Sequence, residues 1–467
     1  MQLDPENRWV KKAATIPWDA IEIKYAALFK NHNGNVAKPL RMALGALLIQ
    51  TQYQYPDAEI PFQIFENPYL QYFCGLSAYE DKLPFDPSLM VYFRKRLTPE
   101  ILGEINEMII EKAQDKEDPP SSGDGGNASP DQSEEEPTQS PNSGTLITDA
   151  TCAPQNIRYP QDLSLLNEAR ENLEHMVDKL HSPAYDGEKP RTYRKRARRD
   201  YLKTAKKRNK TAKEIRNAIK KQLGYIRRDL DIVSRQLENG KDLTLKDVER
   251  LGAVEDLYEQ QLRMYVEHDH SVEDRIVSIS QPWIRPIVRG KAKAKCEFGA
   301  KLDISVSNGF VRLEHTSFDA YNESENLKEI IERYRTREGH YPERVLADKI
   351  YRTRENLSFC KSKGIRLSGK PLGRPKADDR ADKKIIRKDE IDRVGVEREF
   401  SYAKGSFGLG LIRSKLKDTS KTAIALSILA LNIAHIGRIL REFLTFWNIV
   451  PFLNRIFDCR GKITVVQ

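Results

Sequence analysis

The stretch IDRVGVEREFSYAKGSF, residues 391–407, governs how the rest of the chain reads. Arg393 and Glu397 are one helical turn apart and Lys404 lies about two turns further on, so an α-helix here sets all three side chains on one face, a carboxylate between two cations. Alone, that pattern also suits a solvated helix face with an i,i+4 ion pair. Two aspartates upstream change its meaning. Asp149 in TLITDAT and Asp348 in YPERVLADKIY each end a short aliphatic or β-branched run, where a rigid strand can aim an acid into a cleft.

With 467 residues the chain is too long for one ordinary core, and about two to four domains are expected. The formal charge of +10 is moderate for this size, but the basic residues are clustered, which favours a polyanionic partner. Cys74, Cys152, Cys296, Cys360 and Cys459 show no CxxC and no metal-ligand spacing, so reduced thiols in a cytoplasmic protein are expected. The start, MQLDPENRW, lacks the basic and apolar regions of a signal peptide. The longest apolar stretch, TAIALSILALNIAHI, is interrupted by Ser427, Asn432 and His435 and reads as a buried helix rather than a membrane span.

Residues 1–113 read as a helical domain centred on LRMALGALLIQTQYQ, with Pro17, Pro39, Pro61 and Pro87 at boundaries. Ser88 is expected to cap SLMVYFRKRLTPEIL, whose Arg94, Lys95 and Arg96 suit either a DNA-contacting helix or a basic surface turn. Residues 114–143, rich in Pro, Ser, Gly, Asp and Glu, cannot bury enough apolar surface to order themselves and are expected to be a disordered acidic linker. Residues 144–161 supply the first strand of a new domain, and residues 162–274 a basic helical insertion resembling a hairpin of two long helices.

Between Arg191 and Lys221 the insertion carries fifteen Lys or Arg against Asp200 and Glu214. Like charges at helical spacing repel unless a polyanion neutralises them, so Arg194, Lys195, Arg196, Arg198, Arg199, Lys206, Lys207 and Arg208 are candidate contacts to nucleic-acid phosphates. Such contacts are mostly blind to base sequence. The alternative is a basic stalk packed on acidic surface elsewhere.

Residues 275–417 complete the domain. KCEFGAKLDISVSNGFVRLEH places two β-rich runs around Asn308-Gly309, a strong hairpin signal. A helix, the strand ending at Asp348, a short helix, the strand IRLSG and the helix with Glu397 follow, and residues 418–467 form a C-terminal helical region. An antiparallel start followed by helix-linked strands implies an α/β fold, a mixed sheet flanked by helices.

Asp149, Asp348 and Glu397 come from distant parts of the chain and offer only oxygen, a donor set for hard cations such as Mg²⁺. Two such ions about 3.5–4 Å apart serve in-line phosphodiester displacement. Arg393 and Lys404 would then hold phosphate, with Phe400 and Tyr402 packing nearby. Glu399 points to another helix face, and Asp303 reads as an exposed strand position.

At these residues the chain resembles insertion-sequence transposases of the DDE class. Arg393, Glu397 and Lys404 match the spacing of the family's Tyr-x2-Arg-x3-Glu-x6-Lys signature, with Glu390 at the Tyr position. TDAT and ADKIY resemble its two aspartate motifs, HSVEDRIVSISQPWIRPIVRGKAKAKCEFGAK its approach to the second strand, and the helical N-terminal region its accessory DNA-binding domain. The resemblance implies a ribonuclease H-like mixed sheet, with the basic insertion after the first strand. It implies Asp149, Asp348 and Glu397 as ligands of two Mg²⁺ ions, with Mn²⁺ able to substitute. It further implies cleavage of double-stranded DNA at element ends and strand transfer into target DNA. A homodimer or higher synaptic complex on DNA, near the nucleoid and away from membrane, is implied as well. The other classes are a catalytically inactive or domesticated DNA-binding protein and a helical scaffold with little salt-sensitive DNA affinity.

Three further motifs carry less. GIRLSGKP, residues 364–371, nearly fits a phosphate-binding loop, but Pro371 stands where Ser or Thr would hold magnesium. His268, Asp269 and His270 have no companion cluster of ligands and read as a polar turn. GRPK, residues 373–376, reads as a basic loop near bound DNA.

Overall fold

The computed structural model describes residues 1–29, 37–115, 142–183, 186–288, 296–370 and 380–460. Most of the expected acidic linker, and GRPK, lie outside them.

Seven helices come first: α1 (Arg8–Thr15), α2 (Trp18–Tyr25), α3 (Leu40–Tyr53), α4 (Ile60–Glu66), α5 (Pro68–Phe73), α6 (Leu89–Arg96) and α7 (Pro99–Gln114). Polar caps set several of the starts, as where the Asn7 side chain accepts from the Trp9 amide and Thr98 from the Ile101 amide. Thr98 and Pro99 split the helix expected from Ser88 into α6 and α7, and Ser88 makes no side-chain cap. Arg94 is not offered to a partner: it is buried and paired with Asp57 and Gln50. As expected, α3 is central, with Leu44, Leu47 and Ile49 fully buried.

The sheet is built from β1 (Thr145–Pro154), β2 (Arg285–Val288), β3 (Cys296–Ser307), β4 (Phe310–Ser317), β5 (Arg344–Leu346) and β6 (Arg366–Leu367). Its order is β2-β3-β1-β5-β6, with β4 also on β3. β3 is antiparallel to β1, β2 and β4, whereas β5 is parallel to β1 and β6 parallel to β5, so the sheet is mixed. The β3–β4 hairpin turns at Asn308 and Gly309, both at positive φ (51° and 79°), the conformation that Asn-Gly tolerates and that matches strand twist.

Between β1 and β2 run α8 (Asp162–Leu180), α9 (Arg194–Ala205), α10 (Ala212–Glu238) and α11 (Leu245–Glu267). They enclose their own core, including Leu166, Leu173, Val177, Ile226, Val233, Val254 and Leu257. The insertion is therefore a four-helix unit rather than a two-helix hairpin. Its basic run breaks after Lys206, and Thr211 and Glu214 restart it as a capping box.

After β4 come α12 (Leu327–Glu338) and α13 (Arg354–Ser362), then α14 (Arg380–Ser406) and α15 (Lys417–Arg460). The α12 and α13 side of the sheet has a core of Leu146, Leu327, Ile331, Tyr334, Val345 and Tyr351. On the other face α15 packs against α1, α3, α6, α7 and β4. There the N-terminal helices and the sheet share one core, in which Leu44, Leu47, Ile105 and Ile109 join Leu302, Ile304, Val311, Ile424, Ile428 and Leu431. A buried amide pair fixes the register: Asn432 donates to the Asn106 side chain and the Val311 carbonyl, both at 2.7 Å, and accepts from the Val311 amide at 2.9 Å. By length and composition the 417–441 part of α15 could cross a bilayer; its apolar side chains are mostly buried in this core.

Inside the insertion one charge is poorly served. Asp229 is fully buried with neither carboxylate oxygen hydrogen-bonded, and burial, with Glu174 adding to it, pushes its carboxyl up to about 7. Because the folded-state value is raised, stability is highest where the acid is neutral in both states and is lost as pH rises from 3.8 through about 7. Thermal unfolding should show a midpoint that falls between pH 5 and pH 8, and Asp229→Asn should flatten that fall; parallel wild-type and variant profiles would show the buried charge to be compensated.

Candidate active site

Asp149 and Asp348 each follow the paired stretch of two parallel strands. β1 and β5 run parallel with Ile147 beside Leu346, and each acid lies two residues beyond that pair. Asp149 is still within β1, facing α14 at 20 % exposure. Asp348 lies past the end of β5, exposed, and caps the 3-10 turn Lys349–Tyr351 by accepting from the Lys349 amide at 2.7 Å.

Glu397 is linked to Asp149 from α14. The Arg393 guanidinium is 3.6 Å from an Asp149 oxygen and 3.6 Å from a Glu397 oxygen, so one cation serves the strand acid and the helix acid at once. Glu397 is 56 % exposed. Lys404 is half-buried, two turns further along α14.

The docking of α14 rests on groups the sequence reading passed over. Asp389, buried, pairs with Arg366 of β6 and with Arg344 of β5 at 3.2 Å, while Asp392 takes Arg344 at 2.8 Å. Burial pushes the Asp389 carboxyl up, but the Arg366 and Arg344 guanidinium groups outweigh it and hold the acid below its ordinary value. On the helix's other side Glu399 faces Arg438 of α15 at 3.7 Å, and that guanidinium also lies over the Tyr402 ring. Glu399 is therefore a packing anchor turned away from Asp149. The signal for Asp389 was present as acids at i and i+3 ahead of Arg393, but its partners Arg344 and Arg366 are remote in sequence.

Asp303 corrects an expectation outright. It is not exposed but fully buried, on the sheet face opposite α14. Alternation with Leu302, Ile304 and Val306 suggested a wet face, but this sheet is covered on both sides.

Among the described residues, no three His, Cys, Asp or Glu side chains lie close enough together to hold one metal ion. The donor chemistry nevertheless fits a hard cation: Asp149 and Glu397 already share a positive charge between them, and Asp348 lies just past the end of the neighbouring strand, all three offering oxygen alone.

The basic insertion is less uniform than its sequence. Arg194 is committed to Asp178 through both terminal nitrogens, and Lys207 to Glu214. Lys195, Arg196, Arg198, Arg199, Lys206 and Arg208 are exposed along α9 and the loop after it. The possible phosphate-binding loop does run through strand β6, and His268 ends α11 beside Arg216.

Two segments of the chain resemble known protein families. Residues 345–434, from β5 into α15, match the family model described as "Transposase DDE domain", and residues 1–96 match "Transposase domain (DUF772)". The matches define a transposase-domain protein. A DDE domain and an N-terminal transposase domain on one chain support an insertion-sequence transposase of the DDE class. The chain is 29 % identical over 111 residues to an uncharacterized protein, ORF8, of the nfe locus of Rhizobium meliloti; the match covers 24 % of this chain and about half (53 %) of that relative. No solved structure matches.

Because Asp348 and Glu397 are exposed, Asp348→Asn and Glu397→Gln should leave the thermal midpoint within about two degrees of wild type. Asp389→Ala leaves Arg366 without its carboxylate and Arg344 with Asp392 alone, and should lower it by several degrees. Comparable losses for all three, measured by calorimetry, would mark the exposed acids as structural.

Proposed function

We propose that the chain is a DNA transposase that cuts the ends of an insertion sequence and transfers them to target DNA, using Asp149, Asp348 and Glu397 as ligands for divalent cations, two Mg²⁺ ions in the preferred form. The observation that carries the reading is the single guanidinium shared by Asp149 and Glu397, with Asp348 two residues past the end of the strand paired with β1. The strand order supports a ribonuclease H-like core: β4, β3 and β1 antiparallel, then β5 and β6 parallel beyond β1.

When bound, such cations lower the pKa of an attacking water and neutralise the leaving oxygen of the phosphodiester. The chain's own residues do the rest. Arg393 balances two carboxylates before DNA arrives and is placed to turn to a phosphate once other positive charge replaces it. Lys404, further along the same helix, is suited to the next phosphate. Tyr351 is buried beneath the strand ends beside Thr148, where burial and the charges of Asp303 and Asp149 push its phenol up, so it stays protonated and cannot compete as an acid. The exposed cations of α9 suit DNA phosphates and, being mostly sequence-blind, would hold the end rather than choose it. Two ends must meet for transposition, so assembly of at least a dimer on DNA belongs to the same reading.

Purified protein with Mg²⁺ should nick duplex DNA carrying the element's ends, while Asp348→Asn binds the same DNA and leaves it intact. Wild-type protein that binds ends and cuts in neither Mg²⁺ nor Mn²⁺ would establish the non-catalytic binder instead. In salt titrations, Arg198→Gln and Arg199→Gln should weaken binding alike across sequences and each lower the log–log salt slope by about 1. An unchanged slope would remove α9 from the interface.

A further inference from the structure

We infer that Asp303, on the sheet face opposite α14, is a positioning residue that sets where Asp348 stands; the inference rests on the reading of Asp348 as a metal ligand. The need for such a residue follows from the shortness of β5. That strand ends at Leu346, so nothing in the ladder with β1 reaches Asp348. An exposed acid on a loop must be held by other means if it is to meet Asp149 at a fixed separation.

Asp303 lies opposite Ala150, the residue after Asp149, with its side chain on the reverse face. Its Oδ1 accepts from the Tyr321 hydroxyl at 2.8 Å and its Oδ2 from the Asn326 amide at 2.5 Å. Tyr321 lies two residues before the 3-10 turn Glu323–Asn326 and Asn326 is its last residue, so one carboxylate ties the approach and the end of that turn to the sheet. The turn packs on the second one, Lys349–Tyr351. Asn356 stitches the two, its side-chain amide donating to the Ser324 carbonyl at 2.7 Å and the Tyr351 carbonyl at 2.9 Å. Asp348 caps the second turn, and its carbonyl accepts from the Tyr351 amide at 3.0 Å. The connection from Asp303 to Asp348 is thus continuous: carboxylate, first turn, Asn356, second turn, cap.

Burial makes the connection stiff. Asp303, Tyr351, Asn356 and Ser324 are at most 3 % exposed. Taking a carboxylate out of water is costly unless its acceptor sites are filled, so Asp303 holds its two donors tightly, and removing one costs more than an exposed bond would. Burial also pushes the Asp303 carboxyl up while Asn326 and Tyr321 hold it down.

The test uses the full chain with Tyr321→Phe, which removes one donor and keeps the ring, and Asp303→Asn. In metal-free protein the Lys349 and Tyr351 amides should exchange with solvent about tenfold faster in both variants, while those of Leu302 and Ile304 keep wild-type protection. In cleavage assays the Mg²⁺ concentration for half-maximal rate should rise several-fold, with most of the rate recovered at saturating metal; Asp348→Asn recovers none. Wild-type exchange in the second turn would overturn the inference, as would protection lost equally from β3, which marks a purely structural role. Should Asp303→Asn fail to fold, Tyr321→Phe decides by itself. If the wild type never cuts, the transposase reading falls, and the exchange comparison still settles whether Asp303 holds the Asp348 turn.

Discussion

The parallel pairing of β1 with β5, Ile147 beside Leu346, is the constraint on which the site depends. It fixes where both chains leave the ladder, Asp149 two residues further along β1 and Asp348 two residues past the end of β5, and a shift of one residue would turn the β5 side chains to the opposite face. What lies around the pairing secures it. β1 is held on its other edge by the long antiparallel ladder with β3. α14 is clamped across the short strands by Asp389 and Asp392 to Arg344 and Arg366, and on the same helix Arg393 links Glu397 to Asp149. The third acid arrives through ion pairs rather than through backbone pairing, and it is the most exposed of the site's charged groups on α14 and β1.

Charge is distributed in two layers. At the surface, Arg393 neutralises Asp149 and Glu397, a pair that would otherwise repel. Behind the sheet, Asp303 is kept by hydrogen bonds from Tyr321 and Asn326, in a setting where burial and hydrogen bonding oppose one another. The surface layer is open to exchange of partners, since solvent screens it; the buried layer is not. In the proposed cation site, that difference would let the ligands accept new cations while their spacing stays fixed.

Much of the fold was legible where local chemistry decides structure. Asn308-Gly309 announced the β3–β4 hairpin, the apolar run of residues 422–436 announced a buried helix, and Arg393, Glu397 and Lys404 at helical spacing announced one face of α14. What stayed hidden depends on partners far away in sequence. Arg94 looked like part of a basic surface, but Asp57 claims it; Arg194 looked like a phosphate contact, but Asp178 claims it. Asp303 looked exposed because alternation cannot tell water from a second covering layer. The insertion looked like two helices because the dense charge of its basic run hid the break at which Thr211 caps α10. Nor could the pattern foretell that the N-terminal helices and the sheet share one core around α15.

The central claim is that Asp149, Asp348 and Glu397 form one cation site. Diffraction at the manganese edge from crystals of the protein with end DNA and Mn²⁺ tests it most directly. Anomalous peaks bounded by these three carboxylates, with Arg393 swung off Asp149, are expected; manganese bound elsewhere, or Arg393 still bridging Asp149 and Glu397 while DNA is bound, would contradict the claim.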